Sequence, residues 1–244
     1  MKAVMTGPPL LFLALFFWQG AFNTAGFNTA ELDKARDAQN RGALERLASQ
    51  LSGPADKLPN DVQAQYRLAL AQSYVAEVAM ETGDKNAARA AAETGIKAAE
   101  RATALKPEVA EYHRILGTLC GQVIPANVLV GLRYGHCAQD EVNKAVQLDS
   151  KAPANYVSRG VGNYYLPASL GGGVDAAIKD FQKAIELDPR SADARLSAEA
   201  HLWLGLALRK ANRNPEARKE LQRAVDLDPA RAWAKQQLAK TPEK

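Results

Sequence analysis

Several kinds of residue are scarce in these 244 positions, and each shortage removes a class of function. Two cysteines and three histidines offer no C-x2-C or H-x3-H spacing, so no metal site is expected. Runs of basic residues are missing as well. The 31 Lys and Arg are interleaved with 27 Asp and Glu along the whole chain, which argues against a nucleic-acid partner despite a pI near 9.0. No stretch alternates apolar and polar residues as a half-buried strand requires. The chemistry of catalysis is equally thin. Gly171-Gly172-Gly173 is not followed by the Lys-Ser/Thr of a phosphate loop, no nucleophile elbow or Ser/His/Asp pattern stands out, and paired carboxylates read as solvent-facing pairs on helices. The expectation is a non-enzymatic chain without a cofactor.

What is present begins with an N-terminus unlike the rest. Five of the six phenylalanines (Phe12, Phe16, Phe17, Phe22 and Phe27) fall within the first 27 residues, leaving Phe181 alone downstream. A positive start at Lys2, an apolar core from Pro9 to Trp18 and small residues up to Gly26 have the anatomy of a signal peptide, residues 1–26. Its apolar core is half of the roughly 20 residues that span a bilayer as a helix, so a retained anchor is the weaker alternative. No Cys follows it for lipid attachment. The mature chain is expected to be soluble, in the periplasm or secreted, with no stable membrane insertion.

A tail recurs four times in the remainder. Ala102-Thr-Ala-Leu-Lys-Pro107, Ala145-Val-Gln-Leu-Asp-Ser150, Ala184-Ile-Glu-Leu-Asp-Pro189 and Ala224-Val-Asp-Leu-Asp-Pro229 end 43, 39 and 40 residues apart. Three of them close on Pro, which cannot continue a helix and pushes its predecessor out of helical geometry. Upstream, one spacing of large and small residues returns: His201-x2-Leu204-Gly205-x2-Leu208, then Ala217-x3-Leu221-x2-Ala224.

This pattern resembles the tetratricopeptide repeat (TPR), a helix-turn-helix unit written W-x2-L-G-x2-Y … A-x3-F … P. His201 and Leu208 replace its Trp and Tyr. Other copies pair Gly160 with Ala177-x3-Phe181, His113-x2-Leu116-Gly117 with Ala138-x3-Val142, and Arg67-x2-Leu70-Ala71 with Gly95-x3-Ala99. Small residues stand where helix A and helix B of a unit cross, so that the backbones approach closely. Repeats near 40 residues also fit HEAT or armadillo arrays, which the Leu-Asp-Pro tails disfavour. The fold expected is all-α, with helical hairpins stacked in a right-handed superhelix. Atypical N-terminal helices at 27–61, with Gly42 as their break, precede units at about 62–107, 108–150, 151–189 and 195–229. A solvating cap at 230–240 follows. The surplus in unit three is expected in the turn Leu166 to Gly173, and that of unit two around Pro125 and Gly131.

Cys120 and Cys137 fall near the end of helix A and the start of helix B of unit two. In an oxidising destination they form a disulfide; two buried thiols are the alternative. His113 and His201 occupy the large-residue slot of helix A and read as packed side chains.

TPR-like proteins bind partners in the groove lined by helix A. The resemblance nominates Glu111, Arg114, Thr118 and Gln122 in unit two; Val157, Val161, Tyr164 and Tyr165 in unit three; Glu199, Leu202, Leu206, Arg209 and Lys210 in unit four. A peptide would lie there with the tyrosines as anchors. The plain alternative makes Val157, Leu202 and Leu206 ordinary core. The Lys and Asn of a chaperone carboxylate clamp are missing, since Leu68 and Gln72 hold those places in unit one and only Arg114 hints at one in unit two. Two functions follow from the resemblance: an exported bacterial scaffold binding a protein in the cell envelope, or a small-solute-binding, TRAP-type accessory ring whose insertions wall a pocket.

Overall fold

The computed structural model describes residues 29–124 and 128–243, so the signal-like segment and Pro125 lie outside the described residues. Eleven α-helices and no strand occur among them: α1 Ala30–Asp37, α2 Arg41–Lys57, α3 Val62–Glu81, α4 Lys85–Leu105, α5 Ala110–Val123, α6 Val128–Leu148, α7 Pro153–Tyr165, α8 Val174–Leu187, α9 Ala194–Lys210, α10 Asn214–Leu227 and α11 Ala232–Ala239. The repeated tail acts as a stop each time. Leu105, Leu148, Leu187 and Leu227 are the last residues of α4, α6, α8 and α10. Starts are set by side-chain caps: Asn40, Asp61, Asp84 and Asp193 accept hydrogen bonds from the first free amides of α2, α3, α4 and α9.

One expectation at the N-terminal end needs correction. The chain breaks at Ala38 to Asn40, where Gln39 is left-handed (φ 51°) and Asn40 caps the next helix, so Gly42 sits inside α2 rather than at the break. α2 also runs through Pro54 to Lys57.

The helices pair as α3/α4, α5/α6, α7/α8 and α9/α10, with the small residues at the crossings. A Cβ on Gly205 would stand 2.6 Å from Leu221 Cγ and 3.0 Å from the Ala217 carbonyl oxygen, and one on Gly160 2.5 Å from the Phe181 ring. Unit one absorbs its surplus by lengthening both helices, to 20 and 21 residues, around a turn at Gly83 (φ 85°). Unit three places its surplus in the turn after Tyr165, through a 3-10 segment at Ala168–Leu170.

Consecutive A helices (α3, α5, α7, α9) touch one another, whereas consecutive B helices make at most marginal contact, so the stack curves toward the A layer. Its apolar interior is in two parts. One runs from Leu32 of α1 to Val123 of α5, with Cys137 and Ala138 of α6 against it; the other runs from Tyr156 of α7 to Ala234 of α11. Between them the A layer is joined by polar contacts, Arg114 donating to Ser158 at 3.2 Å and Thr118 at 3.3 Å from the same hydroxyl.

Candidate functional site

The nominated groove residues separate into three groups. Leu202, Leu206 and Val157 are buried at 0%, 3% and 7% exposure and belong to the second core, as the plain alternative held. Val161 packs half-buried against them. Arg114, Thr118 and Arg209 are held by their own chain. Arg114 grips Glu111 through two hydrogen bonds of 2.7 Å, and Arg209 donates to the Gln237 side chain at 2.9 Å and to the Thr241 hydroxyl at 3.1 Å. Thr241 follows α11 and closes it against α9.

Only Tyr164 and Tyr165 remain as aromatic surface. Tyr165, the last residue of α7, is 54% exposed. It is nevertheless crowded on its protein side: desolvation first, then the charges of Tyr164 and Glu81, push its phenol up to about 12.

Around these tyrosines lies a side chain that the repeat pattern did not nominate. Trp203 of α9 stands edge-on to Tyr164 at 5.6 Å, Tyr165 at 6.1 Å and Trp233 at 5.3 Å between ring centroids. Its indole donates to Glu199 at 2.8 Å. Lys210 lies 4.3 Å over the Tyr164 ring and donates to its carbonyl at 2.7 Å. The signal was readable in the helix period, since Glu199, Trp203 and Lys210 follow one face of α9 at i, i+4 and i+11.

A cluster of charge joins the first and last described helices beside this wall. Arg231, at the N-cap of α11 and 3% exposed, donates to Glu77 of α3 at 2.6 Å and to both carboxylate oxygens of Glu81. Arg36 of α1 spans Glu77 at 2.9 Å and Glu199 at 2.5 Å. Arg195 pairs with Asp37 at 2.5 Å, and Gln236 of α11 donates to Gln39 at 2.8 Å. The first and last A helices are therefore bridged through α1 and α11. This corrects two expectations. Glu77 and Glu81 are a carboxylate pair turned inward, with Glu81 at 4% side-chain exposure, and the C-terminal segment places its Arg231 inside the fold rather than in solvent.

Three carboxylates on two guanidiniums leave one negative charge poorly matched. Glu81 shows it: burial pushes its carboxyl up to about 7, against the pull of Arg231 and with repulsion from Glu77. Burial would raise Glu199 too, but Arg36 and Arg231 overcome it and hold Glu199 below the ordinary carboxylate value.

Elsewhere the polar groups are structural. His113 sits 2.6 Å from Glu141 and 2.8 Å from the Pro107 carbonyl, and His201 sits 2.6 Å from Glu220, each linking helix A to helix B. Cys120 and Cys137 form a disulfide with Cα atoms 6.0 Å apart. It floors a cleft of about 500 Å³ lined by Ile96, Lys97, Arg133 and Tyr134. Among the described residues no group of His, Cys, Asp and Glu is placed to hold a metal ion, and no helix is long and apolar enough to cross a membrane.

The sequence pattern of the family described as regulator of microtubule dynamics protein 1-3 matches residues 29–167, more than half of the chain. The chain belongs to this family. A tetratricopeptide-repeat pattern matches residues 171–232, which makes this family member a TPR protein in its C-terminal half as well. Its fold is similar to that of TTC0263, a thermophilic TPR protein of Thermus thermophilus, at a TM-score of 0.58 and 19% identity over 86% of this chain and 97% of that one. It is also similar to the HusA haemophore of Porphyromonas gingivalis, at a TM-score of 0.56 and 19% identity over 76% and 96%. No curated protein matches it in sequence. A TPR-like stack of this kind is in general a scaffold for protein–protein interaction, and such scaffolds are generally non-enzymatic.

Proposed function

We propose that this chain is a non-enzymatic, exported scaffold that binds a protein partner in the cell envelope through the inner wall of its A helices. The observation that carries this reading is Tyr165, which presents an aromatic ring to solvent at 54% exposure beside Trp203 while the apolar residues around it are consumed by packing. Aromatic anchors next to polar rims are where binding energy concentrates. Two features support the envelope. The N-terminal segment has the composition of a signal peptide, and a disulfide persists in oxidising compartments. Regulation of microtubule dynamics is named for proteins 1-3 of the family; the binding scaffold, rather than that polymer, is what the reading carries over.

The binding residues proposed are Tyr164 and Tyr165, flanked by Trp203 and Lys210. Val157, Val161, Leu202 and Leu206 support that wall from behind, and Arg114, Thr118 and Arg209 hold its shape. The test is affinity capture from envelope extract with the chain from Phe27 onward, beside a Tyr165→Ala variant. Tyr165 is exposed, so its loss leaves the core intact. One protein retained by the parent and lost by the variant supports the reading. Equal retention removes the site from the inner wall.

The bridge between α3 and α9 favours a second reading, a small-solute-binding accessory subunit of an uptake system, because a closed stack walls a concavity that an open superhelix lacks. A ring assembly by solution mass, with solute uptake, supports it; a monomer that takes up no solute removes it.

A further inference from the structure

The inner wall is occupied by the chain's own C-terminal segment. Arg231 reaches between Glu77 and Glu81 of α3 and lies 3.6 Å from Glu199 of α9. Two residues on, Trp233 stacks edge-on against Trp203 at 5.3 Å, and the Arg231 guanidinium lies 5.6 Å from the Trp233 ring. One short segment thus supplies a cation to a carboxylate trio and an aromatic to an aromatic wall. That is how a peptide ligand engages a groove.

We propose that the Arg231-x-Trp233 segment is an internal ligand, and that the surface it covers receives a partner segment of the same chemistry: an arginine two positions before an aromatic residue. The proposal rests on the inner-wall reading above and names the partner's chemistry. Charge complementarity selects the cation. The cations against Glu77, Glu81 and Glu199 are Arg36 and Arg231, with Gln39 and Trp203 adding neutral donors to Glu81 and Glu199, so an incoming segment without an arginine would leave three largely desolvated carboxylates on one guanidinium. Geometry selects arginine over lysine, because Arg231 uses a fork, with Nη1 and Nη2 both directed at Glu81 and Nη2 shared with Glu77. The Trp233 and Trp203 pair sets the position of the aromatic.

The segment also sets how strongly a partner must bind. An attached ligand acts at an effective concentration on the order of millimolar, so an external segment with equal contacts competes poorly. The intact chain is in this sense held off its partner by its own C-terminus. Removing the two side chains removes the competitor.

The experiment uses a fluorescent peptide of residues 228–243 with the full chain and with an Arg231→Ala, Trp233→Ala double variant, read by anisotropy. The variant should bind the peptide at least tenfold more tightly than the parent chain, and a peptide carrying Arg231→Ala should lose that binding. Equal binding by parent and variant, or none by a variant whose circular dichroism shows it folded, overturns the proposal. So does a dimer of the variant formed in place of peptide uptake, which would mean exchange between copies. Should the variant not fold, the parent chain decides: with spin labels at Gln39→Cys and Gln236→Cys, peptide at about 10 mM, above the effective concentration of the attached segment, must lengthen the distance between the two labels, and an unchanged distance at that concentration overturns the proposal. These outcomes are separate from the capture result. Tyr165→Ala tests the wall itself, and partner loss there with no peptide binding here leaves the inner wall standing and removes only the internal ligand.

Discussion

Arg231 and Glu77 are 154 positions apart in the chain and 2.6 Å apart in space. A stack of hairpins in which each unit touches only its neighbours has no need of such a contact. It means that the two ends of the helical stack meet, and that its stability has a term depending on both halves at once.

Arg231→Ala should therefore cost far more than a surface charge. Its side chain is 3% exposed, and removing one partner of a buried pair typically costs about 3–5 kcal/mol. Urea unfolding of the variant measures this. A loss below about 1 kcal/mol, the range of exposed pairs, would mean that water already fills the cluster.

The pH dependence follows from two carboxylates that shift in opposite directions. Glu81, raised in the folded chain, takes up its proton more readily there, so its contribution is complete below its ordinary value of 4.5 and is lost as pH rises through about 7. Glu199, lowered, contributes above its ordinary value of 4.5 and loses that contribution as pH falls below it. The chain should be less stable above about pH 7 than near pH 5, and Glu81→Gln should flatten the fall. Denaturation midpoints across this range test it; an unchanged slope in the variant would assign the dependence to other groups.

Gly205→Ala tests the crossing of α9 with α10. In a free helix the change would stabilise by up to about 1 kcal/mol. Here the added methyl meets the Ala217 carbonyl oxygen at 3.0 Å and Leu221 at 2.6 Å, and backbone cannot swing aside. Overpacking of about 1–3 kcal/mol should win, giving net destabilisation in thermal melts. A stabilised variant would show that the crossing is looser than this.

Replacing Cys120 and Cys137 together by Ser releases a link across 17 positions. A closed loop of that length is worth roughly 3 kcal/mol. Non-reducing mass spectrometry of the parent should find no free thiol, and the variant should unfold at lower urea.

The local rules were legible in the sequence. Leu105, Leu148, Leu187 and Leu227 end their helices because the tail residues that stop a helix lie within a few positions of them. Gly160 and Gly205 mark crossings because closeness within one unit is encoded by one small residue. The clasp was not legible. Glu77 and Glu81 look like a solvated pair on α3, and Arg231 like a residue of a solvating cap, until a contact across 150 residues brings them together. Trp203 was missed by one position: the repeat pattern pointed to Leu202, which is fully buried, while its neighbour, 9% exposed at the edge of the same core, turns toward Tyr164, Tyr165 and Trp233. A pattern sets the helical face to within about 100° per residue, and that is the difference between the middle of the core and its edge.

The most direct test of the closed stack is the distance between its ends. Gln39 and Gln236 are 197 positions apart, joined by a 2.8 Å hydrogen bond at the surface, and the chain has no free cysteine to compete for labels. Spin labels at Gln39→Cys and Gln236→Cys should give one narrow, short distance that broadens and lengthens in the Arg231→Ala background. A broad, long distribution in the otherwise unchanged chain would contradict the account, because the two ends would then stand apart and the stack would be open.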